Sequence, residues 1–94
     1  MSIEAAMALR NGGVDAVAAL DSALAAALPF VEEPSRDVVK LCVGRAMASV
    51  LAETVEPAIR AYPSLELSSD AWQALAIQAA RSRAASFEDP PPTV

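Results

Sequence analysis

Apolar residues recur along the chain at helical spacing in blocks separated by Gly or Pro. Over 2–10, Ile3, Met7 and Arg10 share one face, and Asn11-Gly12-Gly13 then supplies residues that favour a helix C-terminus. Two adjacent glycines inside a helix cost about 2 kcal/mol against Ala, so the pattern predicts a short N-terminal helix and a break. The alternative is one long helix, because Ile3, Met7, Val14 and Val17 continue a single stripe if the glycines stay helical. Positions 14–28 predict the second helix, with Val17, Leu20, Leu24 and Leu28 in a row and Pro29 ending it.

Phe30-Val31-Glu32-Glu33 reads as a connector, and Pro34 suits the first turn of a third helix whose positive end also gathers Glu32, Glu33 and Asp37. This helix is the longest, running to about Tyr62 before Pro63. At 100° per residue, Arg45, Ser49, Glu53, Glu56 and Arg60 fall in a narrow polar sector, and the rest of its circumference is broadly apolar. So wide an arc is more than one neighbour needs, which predicts a central helix packed on two sides or on a partner chain. Pro57 lies inside the pattern, where its ring would meet the carbonyl of Glu53, so the expectation is a central helix kinked at Pro57, or two helices meeting there.

Ser68 is placed to cap the last helix, with Leu67 and Trp72 spaced for a hydrophobic staple. That helix is expected over 69–86 with Trp72, Leu75, Ala76, Ala79, Ala80 and Phe87 inward, before a disordered Pro-rich tail over 88–94. The fold class is therefore all-α. A single helical domain over 1–87 is expected, as a small antiparallel bundle of three main helices plus the short N-terminal one.

Composition sharpens this. The chain is 54% hydrophobic with a net charge of −5, outside the range of a wholly disordered chain. Its 22 Ala and three Gly weight it toward helix, although Ala buries little area. A single Cys excludes a disulfide scaffold. No membrane span is expected, since 22–31 falls short of the ~20 apolar residues required and 41–52 contains Arg45. A soluble cytoplasmic protein is the simplest expectation.

The chain has no His, which removes the usual general base and the commonest zinc ligand. Cys42, between Leu41 and Val43, reads as a small buried hydrophobe rather than a reactive thiolate. Glu53 and Glu56 share a helix face, but di-iron bundles also need a Glu-x-x-His motif, and Glu56 with Arg60 at i+4 reads as a solvated pair. Asp21-Ser22 resembles the Asp-Ser pair at which acyl carrier proteins attach phosphopantetheine. The match spans two residues, with Ser22 in mid-helix, and no carrier function is read from it. Seven cations against twelve acids do not make a nucleic-acid face, and Gly12-Gly13 lacks the spacing and Lys of a phosphate loop.

Gly44, Ala48 and Ala52 form a smooth ridge along which another helix can approach closely. The ridge serves either a contact within the chain or a seam with a second copy or another protein. The candidate interaction residues are Gly44, Met47, Ala48, Leu51 and Val55. The expected function is a small non-enzymatic protein–protein interaction module, homodimeric, acting as adaptor, regulator or inhibitor. Its partner is itself or another protein, with no cofactor, metal, nucleic acid or membrane. An acidic chain of this kind also suits a neutraliser of a basic protein. The alternative is a small-molecule or acyl-type ligand-binding bundle. That needs Arg45 or Arg60 directed into an interhelical pocket walled by Tyr62 or Trp72.

Overall fold

The computed structural model describes residues 1–88, with side chains as far as Ser82, and every regular element among them is helical. Helix α1 spans Ile3–Ala27, α2 Glu33–Val50, α3 Glu56–Ala61 and α4 Ser69–Glu88. Short 3-10 turns at Leu28–Phe30 and Pro63–Leu65 and a π turn at Leu51–Val55 connect them. Of the predicted tail over 88–94, Glu88 ends α4 and the rest lies outside the described residues.

The first two predicted helices are one. α1 runs unbroken for 25 residues through Asn11-Gly12-Gly13, so there is no short N-terminal helix. Ser2 caps it, its Oγ accepting the Ala5 N–H at 3.2 Å. The reason for the continuity lies across the fold. Gly13 is where α1 meets the π turn, and a Cβ there would fall on Oγ1 of Thr54 and 2.7 Å from Cγ2 of Val55. Only a glycine permits that approach, and the burial of Val14, Val17 and Val55 around it offsets the helix propensity that Gly13 lacks. Gly12, one residue earlier, faces open space.

α1 is also the centre of the fold, in place of the long helix expected there. It packs against α2, the π turn, α3 and α4, whereas α2 and α4 hardly meet among the described residues. Small residues such as Ala6 and Gly13, both buried, let other elements approach it closely.

Pro57 is accommodated by the π turn ahead of it, where the sequence predicted a kink. Glu56 N–H bonds to the Leu51 carbonyl five residues back, and Thr54 Oγ1 donates to the Val50 carbonyl at 2.5 Å. One extra residue in that turn moves the Glu53 carbonyl out of register with the proline ring, which in a regular α-helix it would strike.

Three ties close the end of the molecule where α1 begins. Ala6, Ala58 and Leu65 form a buried cluster with Tyr62 packed on it. The Tyr62 hydroxyl donates to the Met1 carbonyl at 2.8 Å, and Arg10 Nη1 donates to the Leu65 carbonyl at 3.1 Å. α4 starts as its capping residues predict: Ser68 Oγ accepts the Ala71 N–H at 3.2 Å, and the Ser68 carbonyl accepts the Trp72 N–H at 2.8 Å. Leu67 and Trp72, both half-buried, line one small pocket beside this cap.

Candidate interaction surface

At 100° per residue, Val39, Val43, Met47 and Val50 share one side of α2, and all four are half-buried. The opposite side carries Val38, Leu41, Arg45 and Ala48, and all four are exposed. None of the 18 residues of α2 is buried. Val38 is 60% exposed and Leu41 54%, and in the turn before the helix Phe30 reaches 91%. Burying one such side chain is worth about 1.5–3 kcal/mol, a gain this chain leaves unmade at all three positions.

Cys42 belongs to this outer side and is exposed, which corrects the expectation of a buried thiol. Its apolar neighbours misled because they diverge: Val43 turns inward and Leu41 outward.

The five predicted interaction residues fall on different sides of the helix. Gly44 and Ala48 are exposed, and a Cβ on Gly44 would have nothing within 4 Å. Met47 and Leu51 are half-buried. Val55 is 3% exposed, packed at Gly13, and is part of the internal core. The sequence reading did not single out Phe30, Val38, Leu41 or Ile77. Phe30 carried a readable signal, since a large aromatic between Pro29 and Pro34 has no helix face to join.

A groove of about 400 Å³ lies between α1, α2 and α4. Val17 and Asp21 of α1, Met47 of α2, and Trp72 and Ile77 of α4 line it, Ile77 being 54% exposed. Neither Arg45 nor Arg60 lines it; both are exposed elsewhere, and Tyr62 sits on the core cluster beside Ala58.

Glu53 and Glu56 are exposed, and no group of three or more Cys, Asp or Glu is placed to hold a metal ion among the described residues. Asp21 and Ser22 are exposed in the interior of α1. Because α1 is unbroken, Ile3–Phe30 is long and apolar enough to cross a bilayer by length and composition, a test that the core helix of a soluble protein also passes. No protein-family model, curated protein or solved structure matches the chain.

Proposed function

We propose that the chain is a non-enzymatic helical interaction module that works as a homodimer, serving as adaptor, regulator or inhibitor of a partner protein. The observation behind this reading is the outer side of α2, an apolar surface on a helix with no buried residue. Contiguous exposed apolar patches mark contact sites in soluble proteins. On this reading the antiparallel bundle is completed only when a second copy covers α2.

The test is the solution mass by light scattering over a wide concentration range. A dimer that dissociates on dilution, or a stable one, is the expected result. A strict monomer at every concentration overturns the reading and makes the groove beside Trp72 the surface to pursue.

A further inference from the structure

The inward side of the chain steps back by one residue where α3 passes into α2. Val55 and Ala58 are buried and Tyr62 is half-buried, and the three lie on one stripe at spacings of three and four. Carried back at 100° per residue through an uninterrupted helix, that stripe runs on through Leu51, Ala48, Gly44 and Lys40. Yet Lys40, Gly44 and Ala48 are exposed, and the half-buried row of α2 is Val39, Val43, Met47 and Val50. Each of these four stands one residue before its equivalent in the uninterrupted stripe.

A step of one residue is what a π turn inserts, because its bond from Glu56 N–H reaches back five residues, to the Leu51 carbonyl, where an α-helix reaches four. α2, the π turn and α3 all pack on α1, so the extra residue turns α2 by roughly 100° against that common neighbour. It thereby exchanges Lys40, Gly44 and Ala48 for two valines and a methionine on the side that meets α1. The larger apolar residues gain more from burial there.

Pro57 places the extra residue at this point. In a regular helix the Glu53 carbonyl would accept from the N–H of residue 57, which proline lacks, and the ring would strike that carbonyl. The π turn ends at Val55, just ahead of the proline, and the neighbouring helix accepts it because Gly13 leaves room for Thr54 and Val55.

We infer that Pro57 is a rotational lock on α2: it requires one extra residue in the turn ahead of it, and so fixes which side of the helix meets α1 and which side, with Leu41 and Cys42, faces solvent. The lock belongs to the single chain and does not depend on whether a second copy covers that outer side.

Deleting Ala52, an exposed residue of the turn, tests it. While Pro57 still requires the wide turn, α2 must advance by one residue and set Val38, Cys42 and Ala46 toward α1 in place of Val39, Val43 and Met47. The expected result is a lower urea midpoint and a Cys42 thiol that reacts severalfold more slowly with a thiol reagent, in a chain that circular dichroism shows to be helical. Combined with Pro57→Ala, the same deletion lets 51–57 run as a regular helix with the valines still inward. The midpoint should then recover from that of the deletion alone, and Cys42 should react as fast as in the full chain. If the deletion alone unfolds the chain, refolding in the combined variant with a reactive Cys42 supports the lock, and failure to refold overturns it. A deletion that costs the same with and without Pro57→Ala overturns it too, as does one that changes neither the midpoint nor the reactivity of Cys42.

Discussion

The two ends of this molecule bury their residues in different ways. Where the first half of α1 meets the segment 51–65, small residues let Val14, Val55 and Leu65 be buried: Ala6 and Ala58 are fully buried, and Gly13 lets α1 come down on Thr54 and Val55. Along α2 the side chains are larger, yet Val38 and Leu41 stay in water. Apolar letters alone therefore do not locate the core of an Ala-rich chain. Dispersion and the loss of hydrating water both depend on how closely surfaces meet, and here the closest meeting is made by the residue with no side chain.

The largest effect should come from filling that meeting point. Gly13→Leu places a side chain where even a Cβ would overlap Thr54 and Val55, and the helices must separate or α1 must break. The expected loss is about 3 kcal/mol, read from the urea midpoint of unfolding. A loss of less than about 1 kcal/mol would mean the two elements do not cross at Gly13.

The same contrast explains which features were legible in the sequence. The turn at Pro29 and Pro34, the stop before Pro63 and the cap at Ser68 were all readable, because each is decided within a few residues. The continuity of α1 was not, since the contact that compensates Gly13 comes from Thr54 and Val55, far along the chain. The centre of the fold was misplaced for a related reason. Hydrophobic breadth pointed to 38–62, whereas α1 is the helix that meets α2, the π turn, α3 and α4. Of the predicted interaction residues, Gly44 and Ala48 are exposed on α2, while Val55 belongs to the internal core. The outward turn of Leu41 and Cys42 depends on the rotation of α2 against α1, which no local pattern encodes.

α4 offers a test that separates the two ends. It is started by the Ser68 cap and packs on α1. Ser68→Ala removes the acceptor for the Ala71 N–H and should cost about 1 kcal/mol. Hydrogen exchange should show faster amides at the start of α4, with protection around Ala58 unchanged. Uniform loss of protection would instead show that the ends unfold as one unit.

The smallest effect is the most diagnostic, because it lies one residue from the largest and has the opposite sign. Gly12 has helical neighbours on both sides, no positive φ and nothing within 4 Å of where its Cβ would stand. Gly12→Ala therefore adds no collision in the folded chain and restricts the unfolded one, and it should stabilise by about 0.5–1 kcal/mol. Gly13→Ala has the same propensity gain but meets Thr54 and Val55, so its net effect should be a loss. If both substitutions destabilise, the glycines are needed for a break in α1. If both stabilise, α1 stands farther from the π turn than the structure places it, and the closed end is not held by close approach at Gly13.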